Sequence, residues 1–188
     1  MRNRFQITEF CHHFMNEYIN EGDLCIDATA GNGNDTEFLC RMVGESGKVY
    51  AFDIQETAIE NTRKRLEENR LDKRVELILD GHEKMAEYVK EEAAAIVFNF
   101  GYLPGGDHAI ATKSSTSLRA IEAALGLLKV GGVMNLCIYS GKDTGYEEKE
   151  AILAYLRELD SKKWLVIVNS YFNRKNDPPL PVFVIRLK

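Results

Sequence analysis

The chain has 188 residues, 45% of them hydrophobic and 28% charged, with a formal net charge of −5. That balance excludes a disordered chain and a broadly basic nucleic-acid binder, while leaving room for a local basic patch. No apolar run approaches the roughly 20 residues of a membrane span, and "MRNRFQITEF" lacks the apolar centre of a secretory leader. The length suits one domain, residues 1–188, without internal repeat or linker. The four cysteines, Cys11, Cys25, Cys40 and Cys137, show no CxxC or Cys/His metal spacing. Cys25 and Cys137 sit inside apolar runs, as small buried hydrophobes do. A reduced, cytoplasmic protein without a metal centre is the expectation.

In chain order, "LCIDATA" (24–30) reads as the first strand, running into a small-residue turn, "GNGND", and then a helix. "KVYAFDI" (48–54) is the second strand. "ETAIENTRKRLEENRL" follows as a helix, with Ala58, Ile59, Thr62, Leu66 and Leu71 on its apolar side. "VELILD" (75–80) and "AAIVFNF" (94–100) are further strands, separated by a helix starting at "HEKMAEYVKEE". "SLRAIEAALGLLKVGG" predicts a helix stopped by Gly131-Gly132, and "VMNLCIY" (133–139) a fifth strand. "YEEKEAILAYLRELD" opens with acids in its first turn, which suits a helix dipole.

This alternation implies crossover units and a parallel sheet covered on both faces. The C-terminus breaks it. "WLVIVNSYF" (164–172) and "PVFVIRLK" (181–188) leave no room for a helix between them, so they must pair antiparallel. Five parallel crossovers ending in a hairpin predict an α/β, Rossmann-like class I methyltransferase domain. Its seven-stranded, mostly parallel sheet carries helices on both faces and an antiparallel last strand. A nicotinamide dinucleotide fold would continue with parallel units.

In such sheets ligands bind beyond the carboxyl ends of the strands. Gly31 and Gly33 permit a tight turn and close backbone approach, but the third position of a dinucleotide fingerprint is Thr36 instead of glycine. Asp53 stands at the tip of the second strand, where a carboxylate accepts both hydroxyls of a ribose. Gly81 and His82 follow the third strand over the same edge. Asp27 suits the ammonium of a methionine moiety, or else serves the amides of its own loop. His82 either reads an adenine edge or starts its helix.

At these residues the chain resembles a known family. "IDATAGNGNDTEFL", "FDIQETAIENT", "DGHE" and above all "FNFGYLPGGDHAIATKSSTSLRAIEAAL" are similar to the bacterial rRNA methylase family. Characterised relatives methylate the aminomethyl group of wobble 5-aminomethyl-2-thiouridine in tRNA, and the likeness covers nearly the whole chain. It implies S-adenosylmethionine as cofactor, held by Asn32, Asn34, Asp53, Gln55, Gly81 and His82, with Asp27 and Gly33 completing the set read from the turn. The family pattern has histidine where this chain has Lys142, and commonly lysine in place of His108.

Methyl acceptors in this fold sit at the loop after the fourth strand. There Asn99 is placed to accept a hydrogen bond from the target nitrogen, Tyr102 to stack on a base, and Asp107, His108 or Tyr102 to take a proton. Lys113, in "ATKSSTS", offers a phosphate contact or a helix cap. "SKKWLVIVNSYFNRKN" combines four basic residues, no acid, and Trp164, Tyr171 and Phe172. With Arg2, Arg4, Lys113 and Lys142 it forms a basic rim for the tRNA anticodon stem-loop, or simply a lysine-protected sheet edge. The family resemblance implies recruitment of tRNA through a homodimer. The rival readings are a methyltransferase for rRNA or a small metabolite, a nicotinamide-dependent oxidoreductase, and a noncatalytic nucleoside-binding module.

Overall fold

The computed structural model describes residues 6–101, 114–140, 145–175 and 178–188. Its strands are β1 (Leu24–Asp27), β2 (Lys48–Asp53), β3 (Val75–Leu79), β4 (Ala93–Phe100), β5 (Leu128–Ile138), β6 (Trp164–Val168) and β7 (Leu180–Arg186). Its helices are α1 (Ile7–Met15), α2 (Asn34–Val43), α3 (Glu56–Glu68), α4 (Met85–Tyr88), α5 (Ser114–Leu127) and α6 (Tyr146–Arg157). The strands form one sheet in the order β3-β2-β1-β4-β5-β7-β6. Neighbours from β3 to β5 run parallel, and β7 lies antiparallel between β5 and β6, as the broken alternation predicts.

Apolar side chains leave both faces of the central strands, which is why those strands read as continuous hydrophobic runs. Along β1 and β4, Ile26, Ile96 and Phe98 point into a core shared with Ala120, Ile121 and Ile152 of α5 and α6. Cys25, Ala95 and Val97 point into a second core with Cys11, Met15, Leu39 and Leu66 of α1, α2 and α3. The switch at β1/β4 leaves a crevice at the carboxyl edge of the sheet, and the site lies there.

Two details depart from the expected elements. α5 ends at Leu127, and Leu128 already pairs with Ala93. The next pair is Ala95 with Val133, so Lys129–Gly132 stand opposite Ala94 alone. Gly131, at φ 77°, and Gly132 turn this outpouching rather than a helix end; a Cβ on Gly132 would come within 2.8 Å of the Ala94 carbonyl. The second departure is α1, which the strand-helix pattern did not anticipate. Phe14 of α1 stacks on Phe183 of β7 at 4.0 Å and Phe10 meets the same ring edge-on at 6.1 Å, so the helix roofs the antiparallel end of the sheet.

The basic C-terminal stretch is divided by the topology. β6 runs in the same direction as β5, so Tyr171, Phe172 and Arg174 follow its carboxyl end on the site's side, with Arg174 over the Tyr171 ring at 5.4 Å. Lys162, Lys163 and Trp164 precede or begin β6 and lie toward the opposite edge. A single rim of all these residues therefore does not form. Arg2, Arg4, Lys113 and Lys142 lie outside the described residues.

All four cysteines are free and buried, consistent with their hydrophobic reading. Burial pushes the Cys25 thiol up to about 12. Among the described residues no cluster of metal-ligating side chains occurs, and no helix is long and apolar enough to cross a membrane.

Candidate active site

The site is built on the turn between β1 and α2. Gly31 and Gly33 adopt φ 55° and 78°, in the left-handed region that side chains avoid. A Cβ at Gly33 would also sit 3.0 Å from the backbone of Thr62, so a side chain there would be crowded as well as strained in torsion. α3 then stitches the turn down. The Thr62 hydroxyl donates to the Gly31 carbonyl at 3.1 Å, and Arg65 Nε donates to the Asn32 carbonyl at 2.7 Å. Asn61 donates to the Asn32 side-chain oxygen at 3.1 Å, and Asn34 is exposed in the first turn of α2.

The neighbouring strand ends meet this turn directly. Asp53, at the end of β2, accepts the Gly31 N–H at 2.9 Å through Oδ2 and the Gln55 N–H at 2.9 Å through Oδ1. Each carboxylate oxygen keeps a further lone pair. Gln55 occupies the residue before α3. After β3, Gly81 is buried and His82 packs edge-on to Phe98 and Phe100, with ring centroids 5.9 and 6.1 Å apart. The ring lies near the Ala28 backbone, and its buried Nε2 lacks a partner among the described residues. Desolvation holds the His82 pKa below its ordinary value. After β4, the Asn99 N–H donates to Thr29 Oγ1 at 2.7 Å. The turn is thus bonded to the ends of β2 and β4 at once, with His82 after β3 packed close by.

Asp27 lies beneath it, wholly buried. One carboxylate oxygen accepts the Thr29 N–H at 3.1 Å and the other the Thr36 hydroxyl at 2.6 Å. The threonine that breaks the dinucleotide fingerprint therefore has a structural use. Burial, and secondarily the charge of Asp35, push the Asp27 carboxyl up to about 7. An unfolded aspartate titrates near about 3.9, so between these values the folded chain holds a proton that the unfolded chain has released. Stability from this group is full below the unfolded value and is lost as pH rises through the folded one. We expect cofactor-free protein to lose stability from about pH 4 to about 7 through this group, by at most about 1.4 kcal/mol per unit. Asp27→Asn should flatten that slope; denaturant unfolding across the window checks it, and equal slopes in the two proteins would refute the assignment.

Two residues missed in the sequence complete the constellation. Asp35, in the first turn of α2, accepts His12 Nε2 at 2.5 Å and Asn99 Nδ2 at 2.7 Å. The His12 ring lies flat on Phe38 at 4.0 Å and 5°. An acid there reads from sequence only as a partner of the helix dipole. The α1 residue could have been suspected from the apolar spacing of Ile7, Phe10, Cys11, Phe14 and Met15. A groove of about 810 Å³ runs between α1 and α2, past His12, His13, Phe38, Arg41 and Arg65. Tyr102, Asp107 and His108 fall in the segment between β4 and α5, outside the described residues.

The chain and its fold have counterparts among known proteins. It is 40% identical over 195 residues to an Arabidopsis thaliana protein named tRNA (mnm5s2U34)-methyltransferase, chloroplastic, covering 98% of this chain and 70% of that one. The crystal structure of a "putative rRNA-methylase" from Clostridium thermocellum superposes with a TM-score of 0.93 at 45% identity, covering 95% of this chain and 96% of that one. A "putative methyltransferase" from Streptococcus mutans in complex with SAH gives a TM-score of 0.89 at 40% identity, covering 97% of this chain and 98% of that one. A family model described as "Putative rRNA methylase" matches residues 49–185, from the second strand to the last. The chain that bonds its first turn to two neighbouring strand ends belongs to this rRNA methylase family.

Proposed function

We propose that the protein is an S-adenosylmethionine-dependent tRNA methyltransferase that methylates the aminomethyl nitrogen of wobble 5-aminomethyl-2-thiouridine. The reading rests on the Arabidopsis relative of that activity and on one structural observation, the bonding of the β1–α2 turn to the ends of β2 and β4. The same observation tests the fit of the cofactor. The buried, unpartnered Nε2 of His82, which packs edge-on against two phenylalanine rings, suits an adenine edge, and Asp53 keeps lone pairs for ribose hydroxyls. Gly33 offers a surface without a side chain, Asn32, Asn34, Gln55 and Gly81 border it, and Asp27, buried beneath, acts on the methionine end through the turn it holds at Thr29 and Thr36.

When bound, the cofactor supplies a methyl group already activated on a sulfonium. The chain's own residues then orient and deprotonate the acceptor. Alignment of nucleophile and methyl contributes several kcal/mol. A free alkyl amine with a pKa of about 10.4 costs about 4–5 kcal/mol to hold neutral at pH 7, a cost that desolvation and a nearby acceptor reduce. Asn99 accepts a hydrogen bond from the target nitrogen, Tyr102 stacks on the base, and Asp107 takes the proton or orients the amine.

The same reading makes residues 1–188 one methyltransferase domain, working as a homodimer on the anticodon stem-loop. It places the protein in the cytoplasm, in keeping with four unpaired cysteines. Because the family carries the name of rRNA, methylation of rRNA is the second reading. Nucleoside mass spectrometry of tRNA and rRNA from a deletion strain, followed by incubation with purified protein and S-adenosylmethionine, decides between them. The expected result is loss of the methylaminomethyl nucleoside from tRNA and its restoration in vitro. An altered rRNA nucleoside with unchanged tRNA would replace the proposal by the second reading.

A further inference from the structure

Asn99 is only useful as an acceptor if its amide is turned the right way. An asparagine amide has two faces of opposite polarity, and a flip of 180° would aim two N–H donors where an oxygen is wanted. At the end of β4 the ambiguity is resolved by a carboxylate. Asp35 Oδ2 lies 2.7 Å from Asn99 Nδ2, and an amide oxygen could not occupy that place against a negative charge. The amide nitrogen is thereby assigned, and Oδ1 is left on the opposite edge. Asp35 is itself held. Its other oxygen receives His12 Nε2 at 2.5 Å, and the imidazole is clamped flat against Phe38. Both acid and imidazole are largely shielded, with side-chain exposures of 14% and 17%, where such bonds persist better than on an open surface. The backbone of Asn99 is pinned separately, its N–H donating to Thr29 at 2.7 Å.

We propose that Asp35, steadied by His12, is a positioning residue that locks the Asn99 amide with its oxygen toward the methyl-accepting nitrogen. The inference rests on the assignment of Asn99 to the acceptor site. Residues from three elements, α1, α2 and β4, converge on this lock, so α1 has a part in the site beyond roofing the sheet. A lone pair on Asn99 Oδ1 receives one N–H of the amine and turns the nitrogen's own lone pair toward the methyl group. A donor in that place would compete for the same lone pair.

The test separates positioning from charge and from general packing. Asp35→Ala removes the lock, and a misaligned acceptor lowers kcat by about 100-fold. KM for tRNA and the affinity for S-adenosylhomocysteine, measured by calorimetry, should stay within about threefold, because neither is set by the amide's orientation. Asp35→Asn still accepts from Asn99 through its own oxygen while losing the charge, and should keep kcat within about tenfold of native. Native kcat in Asp35→Ala, or Asp35→Asn as slow as Asp35→Ala, overturns the proposal. The side-chain NH2 signal of Asn99 in a 15N–1H spectrum gives a readout that needs neither activity nor substrate. Its carboxylate-bonded proton should be shifted downfield in the native protein and lose that shift in Asp35→Ala; an unchanged signal overturns the lock. Should the native protein methylate no tRNA, the proposed function falls, and this signal alone decides the lock.

Discussion

Asp53→Ala is expected to weaken binding of S-adenosylmethionine or S-adenosylhomocysteine by tenfold to over a hundredfold, while the protein still folds. That range corresponds to losing a hydrogen bond to a charged acceptor, about 1.5–3 kcal/mol. The Asp53 carboxylate also holds the Gly31 and Gln55 N–H groups at 2.9 Å each, so its removal loosens the turn as well as removing the proposed ribose contact. The two contributions pull in the same direction, which places this variant among the most damaging for the cofactor. Asp53→Asn separates them in part, since an amide oxygen can replace one of the two backbone bonds. Calorimetry on folded protein checks the result, and native affinity in Asp53→Ala would remove Asp53 from the cofactor site. Tight binding of a nicotinamide cofactor to the native chain would instead favour an oxidoreductase.

Substrate and cofactor should come apart in the segment between β4 and α5. Tyr102→Ala is expected to remove a stacking surface worth about 1–3 kcal/mol per base, lowering methylation of tRNA by about fivefold to over a hundredfold. Asp107→Asn removes a proton acceptor or an amine-orienting charge. Both variants should bind S-adenosylhomocysteine nearly as the native protein does, because the proposed cofactor contacts come from the turn after β1 and the ends of β2 and β3. The pH profile separates the two possible uses of Asp107. Where its task is to offset the cost of the neutral amine, the Asp107→Asn defect shrinks as pH rises toward the amine's own pKa of about 10.4. A defect independent of pH means that Asp107 positions the substrate. Native rates of methyl transfer in both variants would move the acceptor site elsewhere.

The sequence by itself determined the architecture. Short apolar strands alternating with amphipathic helices can bury both faces only as a parallel sheet, and two closing strands without a helix between them must pair antiparallel. It also brought Gly31, Gly33, Asp53 and His82 to one edge, because strand ends in a parallel sheet share an edge whatever their registers. Local signals failed where a residue had two readings. Gly131-Gly132 looked like a helix stop, but pairing of Leu128 with Ala93 outweighed helix propensity and turned the glycines into an outpouching of β5. Asp27 offered either a ligand contact or a loop contact; its full burial and its bonds to Thr29 and Thr36 showed the second and left the first to experiment. The basic run 161–176 was continuous in sequence, yet the direction of β6 sent its two ends to opposite edges. His12, Asp35 and Asn99 carried no shared signal at all, since no spacing rule links residues 23 and 64 positions apart. Only the tertiary structure joined them. A side chain's partner depends on where packing carries its element, and the roof that α1 makes over the sheet is decided by Phe10, Phe14 and Phe183.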